Sequence, residues 1–390
     1  MELTTMAPTT TRAIVSRAPT DDGKRQWNIE EVQVEAPQGN EVLVELVASG
    51  ICHTDLGCGS FPDGVGPFPV PPYPRVLGHE GAGYVKEVGP LVSTVRPGDA
   101  VLMSFTYCQQ CHNCLHGSPG YCPTFTPLNF TGYLHAFSNP NEPSEKIGGC
   151  FFGQSSSARL TRAQEQSLVR VTDLVKNIDE LKMFAPLGCG IQTGAGTVTE
   201  LASAKPSDAV AIIGLGGVGL SAIMGAKVAN CKTIIGIDRF AERLELARTL
   251  GATDTINTSK LGDLSLTEKV RELTGGVGTT ITIDATGVPA LIEQGIQFTA
   301  QQGKFIILGV APAEAVLTIP IVGHMMSGKQ IMGSVEGGVT PSKYIPRLIE
   351  WHRKGQLPLE KLVKFYKAEK FEDAIHGMHD GTTIKPVIVW

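Results

Sequence analysis

The chain has 390 residues, of which 42% are hydrophobic and 18% charged, with 45 glycines and 25 prolines. At roughly 150 residues per domain that length suggests two or three domains, and the composition excludes a disordered chain. Net charge is −5, from 33 basic and 38 acidic residues scattered along the sequence, so no basic face is expected for nucleic acid or anionic lipid.

The start, Met1 to Arg12, is threonine-rich and polar with no apolar stretch, which argues against a secretory signal. The longest apolar runs, such as Ala209–Leu215 and Lys304–Ala311, are strand-length and too short for a bilayer. A cytoplasmic protein with no membrane partner is the expectation. Alternating runs Glu41–Val47 and Gly83–Val88, punctuated by glycine and proline, predict a β-rich first half. Pro67–Pro74 reads as a loop, and residues 123–150 as a polar, ordered excursion over the surface.

Near residue 190 the pattern changes. Strand-like runs at Ala209–Ile213, Thr233–Asp238, Thr253–Ile256, Thr280–Asp284, Gly303–Leu308 and Gln330–Ser334 alternate with helical patterns. Those patterns lie at Val218–Ala229, Ala241–Leu250, Ser265–Thr274 and Ala290–Ala300. Such alternation predicts a doubly wound α/β domain with a parallel sheet covered on both faces. Beyond residue 335 two helices, Pro341–Lys354 and Phe371–Asp380, precede a last strand, Pro386–Trp390, expected to return to the first domain.

Gly214-Leu215-Gly216-Gly217-Val218-Gly219 follows a predicted strand and opens a predicted helix. In that context the glycines permit a tight turn and bring a pyrophosphate onto the helix N-terminus. A purely structural glycine turn fits that context less well. Asp238 ends the next strand, 19 residues past Gly219, where a carboxylate accepts from an adenosine ribose and repels a 2′-phosphate. NAD is therefore expected over NADP, a preference that the adjacent Arg239 softens.

Four of nine cysteines, Cys108, Cys111, Cys114 and Cys122, fall within fifteen residues. Four thiolates close a tetrahedral zinc site without a vacancy, the pattern of a structural centre. An iron–sulfur cluster is the rival, disfavoured by the spacing of seven residues before Cys122. Two disulfides conflict with a reducing compartment. Cys52, His79 and Cys189 are far apart in sequence, and nothing in composition or periodicity brings them together. Taken alone they read as packing cysteines and a core histidine.

The whole chain nevertheless resembles the zinc-containing medium-chain alcohol dehydrogenases. Gly78-His79-Glu80 with Gly83 and Gly89 resembles the family's zinc signature, the four-cysteine spacing its structural zinc lobe, and Leu187–Gly194 the segment with its third zinc ligand. Phe151-Phe152-Gly153-Gln154-Ser155-Ser156 and the wide 123–150 segment resemble the aryl (benzyl) alcohol branch. The resemblance implies a GroES-like β-rich catalytic domain, about 1–190 completed by 335–390, and a Rossmann NAD-binding domain of about 191–334.

It also implies a catalytic zinc on Cys52, His79 and Cys189, with Glu80 able to coordinate transiently, and a second, structural zinc. Asp55 is implied as the carboxylate orienting the ligand imidazole, and Thr54 as the hydroxyl taking the substrate proton. His53 corresponds to a position contacting cofactor phosphates, Thr193 to one facing the nicotinamide, Arg243 to one beside the ribose, and Lys385 to one near the pyrophosphate. Gly57 stands where many members carry a histidine at the outer end of the proton relay, so the relay is traced only to Thr54.

Ser104 in place of a bulky aromatic hints at a roomy pocket, and Phe151 and Phe152 are candidates for ring contacts with substrate. The expected activity is reversible hydride transfer between NAD(H) and a primary aryl or allylic alcohol or aldehyde, by a homodimer or homotetramer. S-(hydroxymethyl)glutathione dehydrogenase, an NADPH-dependent aldehyde or lactol reductase, and a non-catalytic nucleotide-binding protein are the alternatives.

Overall fold

The computed structural model describes residues 8–262 and 264–390, so most of the threonine-rich start lies outside the described residues. Ten strands come first among them: β1 (Thr9–Arg17), β2 (Gln26–Val34), β3 (Glu41–Gly50), β4 (Arg75–Val76), β5 (Gly81–Val88), β6 (Ala100–Met103), β7 (Tyr133–Ser138), β8 (Lys146–Gly149), β9 (Leu160–Gln164) and β10 (Leu168–Arg170). Six follow: β11 (Ala209–Ile213), β12 (Thr233–Asp238), β13 (Asp254–Asn257), β14 (Thr279–Asp284), β15 (Thr299–Ile307) and β16 (Gln330–Gly333). β17 (Val363–Lys367) and β18 (Lys385–Val389) close the chain.

The early strands alternate apolar and polar residues, and each therefore buries one face. β1, β2, β7, β8 and β4 close into a small barrel. Every second residue points inward, Ala13 and Val15 from β1, Val32 and Val34 from β2, to meet Phe137 and Ile147. A second sheet runs β10-β6-β5-β3-β18-β17, with β9 also paired to β3. β18 lies antiparallel to β3, Val387 opposite Gly50, so the end of the chain returns to the first sheet as expected.

Segment 123–150 departs from its reading as a surface excursion. It supplies β7 and β8 to the barrel, and Ala136, Phe137 and Ile147 are buried there. The strands are short, and the Asn-Pro and Glu-Pro steps between them hide the period of two. Pro67–Pro74 is irregular, as predicted.

The chain divides into two compact units. The first runs to Cys189 and includes Thr340–Ile349 and Leu359–Trp390; the second is Gly190–Val339 with Glu350–Pro358. The return is therefore in two pieces, rather than the continuous 335–390 expected from sequence.

In the second unit the sheet order is β13-β12-β11-β14-β15-β16, with every neighbouring pair parallel. Runs such as Val210–Ile213 are buried because helices cover both faces. The winding direction reverses between β11 and β14, which opens a crevice at the carboxyl ends of those strands. β15 starts four residues before the predicted run, since Gln302 adopts a left-handed φ of 59° inside it and breaks the apolar pattern. No helix among the described residues is long and apolar enough to cross a membrane.

Candidate active site and metal centres

Cys52, His79, Glu80 and Cys189 converge in the first unit, each offering a ligand atom within 4.8 Å of the others. Three chain segments deliver them. Cys52 precedes the short helix His53–Cys58, His79 and Glu80 lead into β5, and Cys189 ends the turn Ala185–Gly188. Asp55 joins the first two segments. Its Oδ2 accepts from the Cys52 amide at 2.9 Å, and its Oδ1 from the Gly78 amide at 3.0 Å and His79 Nδ1 at 2.8 Å. Gly50 is required alongside, because a Cβ there would collide with the Glu80 carboxylate.

Gln154, fully buried, bolts the next layer together. Its amide donates to the carbonyls of His79 at 3.0 Å and Ser104 at 2.9 Å, and its oxygen accepts from Gly81 at 3.2 Å. Ser104 Oγ in turn donates to the Gly188 carbonyl at 2.6 Å, bracing the residue before Cys189. Ser104 is buried and ties this layer to the segment before Cys189. Phe151 and Phe152 are also core: 0% and 5% exposed, they bracket the His79 ring, Phe152 stacked at 4.6 Å and Phe151 edge-on at 5.6 Å.

The electrostatics suit a cation. The Cys52 thiol is held well below its ordinary range by hydrogen bonding with Cys189, aided by His79 and the Lys385 ammonium, against the cost of burial. Burial disfavours a charged His79, yet the Asp55 carboxylate and then Cys52 outweigh it and push the imidazole well above its usual range. Burial raises Glu80 despite the neighbouring Lys385. With Nδ1 given to Asp55, His79 Nε2 is buried without a hydrogen-bond partner. Two sulfurs and an orphaned imidazole nitrogen form a donor set that fits zinc.

Thr54 Oγ1 lies 3.8 Å from the Cys52 sulfur, and His53 is exposed on the same turn of helix. Lys385, expected near a pyrophosphate, is buried in the first unit. Its ammonium donates to Glu80 Oε1 at 2.6 Å and to the Ile51 carbonyl at 3.1 Å.

The second centre gathers Cys108, Cys111, Cys114 and Cys122. Cys108 and Cys114 sulfurs are 3.8 Å apart, and those of Cys111 and Cys122 are 3.9 Å apart. Those separations match the edge of a tetrahedron with metal–sulfur bonds of about 2.3 Å, an edge of about 3.8 Å. Backbone amides of Gln110 and Cys111 bring the Cys108 thiol down to about 6, favouring the thiolate. None of the nine cysteines is in a disulfide. Burial pushes Cys58 and Cys150 up to about 12 and Cys231 to about 11, consistent with inert packing thiols.

In the second unit Gly214 takes a φ of 89°, and Gly216 caps the helix Gly217–Val228 without a side-chain hydrogen bond. A Cβ on Gly216 would meet nothing within 4 Å, so the first-turn amides, including those of Gly217, Val218 and Gly219, face an open cradle of the kind that takes a phosphate. Asp238 reaches back to this turn, accepting from the Leu215 amide at 2.7 Å as well as from Arg239 and Phe240. Arg243 stands 3.9 Å from Asp238, and both Arg239 and Arg243 lie over the Phe240 ring. Thr193 donates to Glu336 at 3.4 Å.

Sequence reasoning missed Gln154 and Glu336. Gln154 was in view as the polar member of an otherwise aromatic and small-residue run, but only its amide geometry reveals its use.

A family model for the alcohol dehydrogenase GroES-like domain matches residues 38–173, and one for zinc-binding dehydrogenases matches residues 217–354. The chain is 36% identical to geraniol dehydrogenase of Castellaniella defragrans, over 93% of this chain and 94% of that one. It is 33% identical to a probable S-(hydroxymethyl)glutathione dehydrogenase of Schizosaccharomyces pombe, over 94% of each. The crystal structure of benzyl alcohol dehydrogenase from Acinetobacter calcoaceticus superposes with a TM-score of 0.86 at 34% identity, covering 98% of this chain and 99% of that one.

The two centres should separate on mutation. Cys189→Ser is expected to lose one zinc per chain and the activity while keeping its unfolding midpoint within a few degrees. Cys111→Ser is expected to lose the other zinc and unfold earlier, because a structural metal contributes directly to folding. Elemental analysis with thermal denaturation distinguishes them. Asp55→Asn, which removes the charge but not the shape, should weaken zinc at the first centre by about 10–100-fold in a chelator competition; unchanged affinity would show that Asp55 does not orient the ligand.

Proposed function

The chain belongs to the zinc-dependent medium-chain alcohol dehydrogenases, and we propose that within them it interconverts primary aryl or allylic alcohols and their aldehydes with NAD(H). The observation that carries this is the convergence of Cys52, His79 and Cys189 around an imidazole nitrogen that has no other partner. Zinc bound there supplies Lewis acidity toward the substrate oxygen. Asp55 engages His79 Nδ1, so that Nε2 would be the nitrogen that holds a metal. Thr54, two residues from Cys52, takes the hydroxyl proton; Gly57 offers no side chain to pass it on.

Lys385 holds one oxygen of Glu80, leaving Cys52, His79 and Cys189 as the standing ligands. The fingerprint turn Gly214–Gly219 takes the pyrophosphate, Asp238 with Arg243 the adenosine ribose, and Thr193 the nicotinamide end. His53 serves the cofactor phosphates. Arg239 and Arg243 beside Asp238 leave room for NADP as a weaker cofactor.

Substrate class rests on two supports. The half-buried Phe68, Val70, Tyr107 and Phe125 rim the aromatic cluster that encloses His79, an apolar surface suited to an unsaturated substrate. The relatives named for geraniol and benzyl alcohol act on such alcohols. The S-(hydroxymethyl)glutathione relative supports a second reading, with glutathione as the carrier. Nine cysteines with none in a disulfide fit a reducing cytoplasm.

Assembly is proposed through the second unit. β16 is the edge of its sheet, and the neighbouring helix Ile321–Ser327 exposes Ile321, Val322, Met325 and Met326 at 68–84%. Such an edge and patch invite a second copy, giving a homodimer or homotetramer.

The purified zinc enzyme should turn over benzyl, cinnamyl and geranyl alcohols with kcat/KM at least about tenfold above ethanol. A rate on formaldehyde that appears only with glutathione would transfer the assignment to the second reading. The double variant Ile321→Asp and Met325→Asp should fall to a monomer in light scattering; an unchanged mass would place the interface elsewhere.

A further inference from the structure

Dinucleotides lie across the carboxyl ends of a doubly wound sheet, with the pyrophosphate at the reversal point. Here Asp238 marks the adenosine side, at the end of β12. The nicotinamide half therefore runs the other way, over the ends of β14, β15 and β16. The loops there are tightly fitted: a Cβ on Gly309 would strike Thr286 and Gly287, and one on Gly287 would strike Val310. Ser334 to Glu336 follow β16 directly.

Glu336 is unusual in three respects. It is 8% exposed although it carries a carboxylate, and its φ is 52°, a left-handed conformation that a non-glycine residue rarely adopts. Its Oε2 also accepts from Gln192 Nε2 at 3.0 Å and Thr193 Oγ1 at 3.4 Å, which aims the carboxylate at the segment assigned to the nicotinamide end. Backbone strain and buried acidic side chains of this kind collect at functional sites.

We propose that Glu336 is an electrostatic determinant of cofactor redox state, a fixed anion beside the nicotinamide half that favours NAD+ over NADH. The inference rests on the dinucleotide reading above. The two forms differ by one hydride, which cancels the positive charge of the ring, so a nearby carboxylate stabilises only the oxidised form. Its effect is to strengthen the hold on NAD+ without strengthening that on NADH, suiting the enzyme to alcohol oxidation.

The test is Glu336→Gln, which keeps size and hydrogen bonding while removing charge. Dissociation constants for NAD+ and NADH are measured on the zinc-loaded, full-length protein by fluorescence titration. The ratio of the NAD+ constant to the NADH constant should rise about tenfold, mainly through weaker NAD+ binding. Glu336→Asp, which keeps the charge, should hold the ratio within about threefold of the wild type. Glu336→Ala should move it in the same direction as glutamine, and serves if the glutamine variant does not fold. A ratio that stays fixed, whether both constants move together or neither moves, overturns the proposal and leaves Glu336 a structural residue. A wild-type protein that binds neither nucleotide overturns the dinucleotide reading itself.

Discussion

A single buried carboxylate organises the metal centre. Asp55, 2% exposed, accepts from two backbone amides and one imidazole, and so ties Cys52 to His79 across the 26 residues between them. Burying an ionised carboxylate costs several kcal/mol, whereas a hydrogen bond to a charged group returns about 1.5–3 kcal/mol. Asp55 is tolerable only because all three donors are met together. The same arithmetic makes the arrangement selective: moving either segment leaves a charge buried with donors missing. The ligand geometry is thus coupled to the packing of β3 and β5 rather than to any property of the ligands themselves.

Around that clamp the chain adds neutral braces. Gln154 locks His79, Gly81 and Ser104, and Ser104 locks Gly188 beside Cys189. Phe151 and Phe152 then exclude water from the faces of the imidazole. These contacts brace the donor atoms without adding charge, and the low local dielectric strengthens what Asp55 does.

The parallel sheet was legible because strands buried on both faces read as continuous apolar runs. The run Ala209–Ile213 appears in the structure without displacement, while β15 was obscured by Gln302. The barrel was harder. Phe137 and Ile147 sit on strands of six and four residues, too short to show a period among prolines and glycines. At the site, the four clustered cysteines carried their own signal, since a spacing of two to seven residues keeps ligands within reach. Cys52, His79 and Cys189 did not, and only resemblance linked them, because tertiary pairing of β3, β5 and the turn before Cys189 creates their proximity. Phe151 and Phe152, candidates for ring contacts with substrate, pack on His79 for a related reason: a residue type suggests what it can contact, while its neighbours decide what it does contact.

Charge accounting explains why the first centre needs a divalent ion. With both cysteines as thiolates, the cluster with Asp55 and Glu80 carries four negative charges, against one positive charge on Lys385. Against the cost of burial, the Asp55 carboxylate and then Cys52 push the imidazole of His79 upward, so a proton on it is favoured. A dication reduces the deficit to one and must displace that proton from Nε2, so loading is coupled to proton release. Lys385 has a defined part in this balance. It pairs with Glu80, whose carboxylate would otherwise face the sulfurs without a counter-charge, and it does so from β18, the strand that returns to β3 from the end of the chain. The electrostatic fitness of a site built in the first half of the sequence therefore depends on the final strand having docked.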